Sequence, residues 1–210
     1  SSAIMAAGTL VSRVLGFLKA ILLTVALGAL STVGDVFETA NTLPNLIYVL
    51  VAGGVFNAVL VPQIIKAAKA QDGGALYISK LVTLTVTAIG LITVIMVACA
   101  WPIIDVMGST WTPEQKQLGV IFSLWCLPQI FFYGLYTVIG QVLNAKDAFG
   151  AYMWSPALNN VISIIGLLVF IVMFGAQTPT INPPLHSVEN WTSAQTVVLA
   201  GTTTLGIAMQ

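Results

Sequence analysis

Two cations, Arg13 and Lys19, sit inside an otherwise apolar run, TLVSRVLGFLKAILL at residues 9–23. A charged side chain at the centre of a bilayer costs about 2.5–3.5 kcal/mol even on lenient scales, so such groups must meet water, a counter-charge or a ligand. Arg13 lies about ten residues into the run, ~15 Å from its start at the helical rise and near the midplane, too central to reach the headgroups. Lys19 reaches them only with difficulty. Either both cations face a polar cavity or they are ion-paired inside a bundle. They lie about 120° apart on a helical wheel and on different turns, which suits bracketing a bulky anion better than forming one tight point site.

The next run adds polar groups. Asp35, Glu38, Thr42 and Asn45 follow i, i+3, i+7 and i+10, one helical face. That face is either the wall of a wet vestibule or, for Asp35 and Glu38, an amino-terminal turn whose dipole favours anions. Asp35 across from Arg13 or Lys19 would make a gate rather than a ligand. Pro44 is expected to kink this helix, and Gly53 and Gly54 to weaken it further on, with Asn57 one turn beyond. Together these make a moving element, or else the ordinary glycine content of a membrane helix. Pro62, Pro128 and Pro156 carry the same ambiguity. Gly8, Ser12 and Gly16 recur every four residues, a small-residue stripe of the kind that lets a second helix approach closely.

The elements that must hold these groups follow from composition. Of 210 residues, 58% are hydrophobic and only 7% charged, with mean hydropathy +0.97. A soluble domain is typically about 25% charged, so the class is an all-α, polytopic transmembrane bundle. Net charge is +0, which gives no global field for nucleic acid. Cys99 and Cys126 fall in apolar runs and read as small buried hydrophobes, not metal or redox groups. His186, the single histidine, lies in a polar loop and reads as surface. No Ser/His or Cys/His pairing, HExxH or phosphate loop is present, which argues against catalysis and against any cofactor or metal.

A span needs roughly 20 apolar residues. About six stretches qualify or nearly do: 3–30, 33–65, 77–101, 118–143, 155–175 and 194–210, the last cut short at Gln210. Thr112 with Glu114 predicts a polar helix start between the third and fourth. Lys66, Lys69, Lys80 and Lys146 fall in loops on one side and only Lys116 on the other, which predicts a cytoplasmic amino terminus. The first run carries internal cations and no clear cleavage site, unlike a signal peptide. With no initiator Met and an apolar run still open at its end, the chain is expected to be part of a longer protein. A repeat of the transporter type would then need a second half.

Four stretches together carry a resemblance. SRVLGFLK (12–19), GDVFETANTLPNLIYVLVAGGVFNAVLVP (34–62), GQVLNAKDAFG with WSPALNN (140–160) and GTTTLGIAMQ (201–210) resemble the MurJ/MviN lipid II flippases, of the multidrug/oligosaccharidyl-lipid/polysaccharide exporter superfamily. The similarity runs along essentially the whole chain. It implies the amino-terminal lobe of a two-lobed alternating-access transporter in the bacterial cytoplasmic membrane. The implied activity moves an undecaprenyl-diphosphate-linked muropeptide from the inner to the outer leaflet. The implied partners are that lipid, membrane lipids and the cell-wall synthesis machinery.

The resemblance also implies roles. Arg13 matches a cavity arginine and Lys19 the position of a second; Asp35 matches an acidic residue of the outer gate; Ser12, Thr24 and Asn45 fall at cavity or gate positions. Two departures stand out. Family members often read LPNLLRR where this chain reads LPNLIYV, with Tyr48 in place of a cavity cation, and often Ala-Glu-Gly where it has Ala52-Gly53-Gly54. One cationic contact and one gate carboxylate are missing. The absence of a nucleotide motif leaves the membrane potential, an ion gradient or the substrate gradient to drive movement. Two other readings are an exporter of different cargo, in which a cation antiporter would favour carboxylates over Arg13 and Lys19, and a membrane scaffold, in which Arg13 would be paired and dry.

Overall fold

The computed structural model describes residues 2–55, 75–145, 149–177 and 184–210. All regular structure among them is helical: α1 (Ser2–Leu27), α2 (Thr32–Val55), α3 (Ala75–Ala98), α4 (Ala100–Met107), α5 (Pro113–Cys126), α6 (Gln129–Ala145), α7 (Phe149–Phe174), then α8 (Ser193–Thr196), a π-helical turn (Val197–Gly201) and α9 (Thr202–Ala208) as one rod. Among the described residues four stretches are long and apolar enough to cross a membrane: Ala6–Leu27, Ser79–Ala98, Pro113–Leu143 and Tyr152–Phe174. The exposed surface is rich in large apolar side chains such as Phe17, Leu84, Leu91 and Val172, which a bilayer covers and water would not. Lys66, Lys69, Lys146, Asn57 and Pro62 lie outside the described residues.

Glycines end two of the long helices. Gly28 (φ 96°) closes α1, its N–H returning to the Thr24 carbonyl at 2.8 Å; Gly175 (φ 85°) closes α7 onto Ile171 at 2.9 Å. Both positions demand the left-handed backbone that glycine adopts without strain. The Gln177 N–H donates to the Val25 carbonyl at 3.0 Å, so the loops after α1 and α7 meet at one end of the bundle.

Prolines break the fold at two places and not at two others. Pro102 and Pro128 each lack the N–H that would bond four residues back. The third stretch is accordingly interrupted at Cys99 and continues as α4, and the fourth is divided at Leu127–Pro128 into α5 and α6. The helices run without a break through Pro44 and Pro156. Pro44 is fully buried, next in sequence to Leu43, which packs with Ala100, Ile104, Leu127 and Ile130. The start of α5 is a reciprocal capping box, Thr112 with Gln115, while Glu114 sits in the first turn.

His186 corrects the surface reading. It is 3% exposed, its ring 5.2 Å from Phe170. Gln195 offers its amide to Nδ1 at 3.0 Å, and Nε2 lies 3.1 Å from the Gly175 carbonyl. The Gln195 carbonyl is already taken by the Thr192 N–H at 2.8 Å, so its amino group must face the ring and Nε2 must donate. The loop folds back and caps the bundle end, with Trp191 against Phe122 and Phe170. The main core lies beneath this cap: Leu27, Val33, Phe37, Phe122, Phe170 and Leu199.

Candidate functional site

Beyond their turn at 28–31, α1 and α2 part company. α1 packs along α7, whereas α2 packs on α5 and α6. The seam between α1 and α7 is the small-residue stripe: a Cβ on Gly8 would lie 3.1 Å from the Met153 carbonyl oxygen, and one on Gly16 would lie 3.6 Å from Asn160. Between them Asn160 Nδ2 donates to the Ser12 carbonyl at 2.9 Å, with Ser12 Oγ at 3.4 Å. Ser12 is therefore a seam residue, half-buried and bonded to α7.

Packing through that stripe leaves the cations off the seam. Arg13 is exposed, and no ion pair to it occurs among the described residues; the single one there joins Lys116 to Asp105 at 2.6 Å. Lys19 is half-buried and lies within electrostatic range of Cys126 at the end of α5. Asp35 stands in the first turn of α2, where the dipole favours it, and both Asp35 and Glu38 are exposed. The bridge from Asp35 to Arg13 or Lys19 is not formed. Thr24 spends its hydroxyl on its own helix, donating to the Ala20 carbonyl at 3.1 Å. Asn45 is exposed. Gly53 and Gly54 lie in the last turn of α2.

The α5–α6 junction connects two of the predicted residues. Cys126 is within electrostatic range of both Lys19 and Tyr133, and the Tyr133 ring centroid is 5.8 Å from that of Tyr48. The Tyr48 hydroxyl shares a hydrogen bond with Thr137 on α6. Tyr136 stacks on Tyr152 of α7 at 4.5 Å and donates to its carbonyl at 3.1 Å. A band of hydroxyl-bearing rings thus runs from α2 across α6 to α7, with Lys19 on its α1 side. Tyr48 is built into this band as a hydrogen-bonding group.

A buried polar node was not legible beforehand. Gln129, fully buried, donates to Thr204 Oγ1 at 2.9 Å and Asn41 Oδ1 at 3.3 Å, and Thr204 donates in turn to the Trp125 carbonyl at 2.8 Å. It ties α2, α9 and the end of α5 together where Pro128 interrupts the helix. The clue was an amide directly after a proline inside an uncharged run, a costly residue in hydrocarbon unless partnered. Rotamers that pair Gln129 with residues 75 and 88 positions away cannot be read from spacing. Among the described residues no three His, Cys, Asp or Glu side chains gather as a metal site.

Long apolar helices clad in exposed apolar side chains, holding among the described residues an arginine without an ion-pair partner and a buried set of amide and hydroxyl groups, define a multi-pass α-helical membrane protein. The family model for Lipid II flippase MurJ matches residues 23–210, and the chain belongs to that family. It is 28% identical over 209 residues to a probable lipid II flippase MurJ of Synechocystis, covering 99% of this chain and 37% of that protein. It is 30% identical to the lipid II flippase MurJ of Burkholderia cenocepacia over 167 residues, covering 78% of this chain and 32% of that one. A solved structure described as lipid II flippase MurJ in an inward closed conformation shares the fold, with TM-score 0.69 and 19% identity over 98% of this chain and 40% of that one. The chain thus spans about a third to two fifths of the length of these relatives.

Proposed function

We propose that this chain is the amino-terminal lobe of a flippase that carries an undecaprenyl-diphosphate-linked muropeptide between leaflets by alternating access. The observation that carries the reading is Arg13: a guanidinium within a membrane-spanning helix, exposed and without a carboxylate partner among the described residues. A dry structural ion pair would have consumed it. A guanidinium left free suits a diphosphate, which it can grip bidentately, and Lys19 adds a second charge on the same helix. The hydroxyl and amide groups of Tyr48, Thr137 and Asn45 suit a sugar-bearing headgroup. With Tyr48 neutral, this lobe holds the diphosphate with two cations, and the rest of the charge comes from a second lobe.

The opposite end supports an outward orientation of the capped face. Asp35, Glu38, Asp105, Glu114 and Glu189 lie at the end holding the turns after α1, α4 and α7, against Lys116 alone, while Lys80 lies at the other. Basic residues favour the cytoplasmic side, and the sequence's four loop lysines Lys66, Lys69, Lys80 and Lys146 against Lys116 alone support a cytoplasmic amino terminus in the bacterial inner membrane. Movement needs no cofactor and draws on the membrane potential or an ion or substrate gradient.

Arg13→Ala in the full-length protein is expected to abolish complementation of a flippase-depleted strain at unchanged expression. Loss of a charge-assisted contact worth about 1.5–3 kcal/mol weakens headgroup binding roughly 10- to 150-fold. Labelling of lipid II in the outer leaflet after depletion reads the activity directly. Normal complementation and labelling by the variant would refute the role.

A further inference from the structure

We propose that a groove between α5 and the 188–197 segment binds a phospholipid with an amine-bearing headgroup. The groove encloses about 430 Å³, inside the roughly 300–1,000 Å³ range of small-molecule sites, and it is separate from the band around Tyr48. Its lining is graded along the helix axis. Glu114, in the first turn of α5, and Glu189 flank the mouth; Gln117 and Ser193 follow; Ile121, Trp125 and Val197 lie deeper toward the membrane core. Glu114, Gln117, Ile121 and Trp125 share one face of α5, at i, i+3, i+7 and i+11.

Such a gradient fits an amphipathic occupant with positive charge at its outer end. No cation lines the groove, and neither Glu114 nor Glu189 has an ion-pair partner among the described residues. The nearest cation in sequence, Lys116, is bound to Asp105 at 2.6 Å and neutralised there. An ammonium placed between the two carboxylates is stabilised, while Gln117 and Ser193 can donate to a phosphodiester just below. A headgroup carrying phosphate without an amine, such as phosphatidylglycerol, meets two carboxylates and no compensation. The apolar floor accepts the upper acyl chain: among the described residues Trp125 is left 40% and Val197 50% exposed. Trp125 and Trp191 supply the amphipathic rings that favour the headgroup boundary.

The proposal stands independently of the cargo carried by the bundle. Its test uses the purified protein in nanodiscs containing equal phosphatidylethanolamine and phosphatidylglycerol. Native mass spectrometry is expected to show phosphatidylethanolamine retained over phosphatidylglycerol by up to about fivefold, the upper end of what two exposed carboxylates can generate. E114Q/E189Q should bring that ratio to about one without changing detergent melting. A second measurement needs no acidic variant: brominated phosphatidylethanolamine should quench tryptophan emission more than brominated phosphatidylglycerol, and Trp125→Phe should shrink the difference to what Trp191 alone reports. Equal retention by the wild type, an unchanged ratio in the double variant, or crosslinks from Glu189→Cys to a polypeptide instead of lipid would each overturn it.

Discussion

Asn160 on α7 donates its side-chain amide to the backbone carbonyl of Ser12 on α1, at 2.9 Å. That bond locks the helix carrying Arg13 to its neighbour one residue before the cation, and so sets the direction in which the guanidinium projects. The seam and the cation are adjacent in sequence but separable in function.

Separability can be measured on α1. Gly8→Val brings branched carbons against a backbone oxygen that a Cβ alone would meet at 3.1 Å. Backbone cannot yield as a side-chain tip can, so a loss of about 1–3 kcal/mol is expected. Thermal melting in detergent should fall for Gly8→Val and stay unchanged for Arg13→Ala, while activity falls for both.

The Gln129 node should behave as a coupled pair. Gln129→Leu and Thr204→Val each remove one side of the 2.9 Å bond. Interhelical hydrogen bonds in membranes average about 0.6 kcal/mol, so a double-mutant cycle on denaturation free energy should return roughly that coupling. A coupling of zero would show that the bond contributes no stability.

At the capped end, His186→Phe retains a ring against Phe170 but leaves the Gly175 carbonyl and the Gln195 amide without partners. Unpaired buried groups cost about 1–3 kcal/mol. Hydrogen exchange across 184–192 should accelerate by roughly 5- to 150-fold, with exchange in α3 unaffected.

Gly28→Ala tests the turn between α1 and α2. The backbone there has φ 96°, and a Cβ would lie 2.9 Å from the Gln177 side chain. Strain of about 1 kcal/mol or more is expected as a lower melting temperature, and loosening of Gln177 from Val25 should appear as faster exchange at the Gln177 amide.

The class of fold was legible because it rests on averages. A chain 7% charged and 58% hydrophobic has no arrangement in water that covers its apolar surface, so a helical membrane bundle follows from composition. The packing role of Gly8, Ser12 and Gly16 was legible for a similar reason, since small residues at four-residue spacing leave one consistent groove on a helix. Pro44 and Pro128 show where local chemistry ceases to decide. Both lack the same N–H, yet α2 continues through one and the helix divides at the other.

Sequence alone therefore determined the elements, the costly charges within them and the family to which they belong. The tertiary structure decided which charges have partners. Among the described residues Arg13 has no ion-pair partner, Lys116 is bound to Asp105, and Asp35 sits in the first turn of its own helix instead of crossing to α1. It also turned His186 from a surface residue into a buried one and joined Gln129 to Asn41 and Thr204. Partnership between groups distant in the chain depends on how helices rotate and approach one another. That is set by the sum of many small packing contacts, and no single residue type or spacing encodes it.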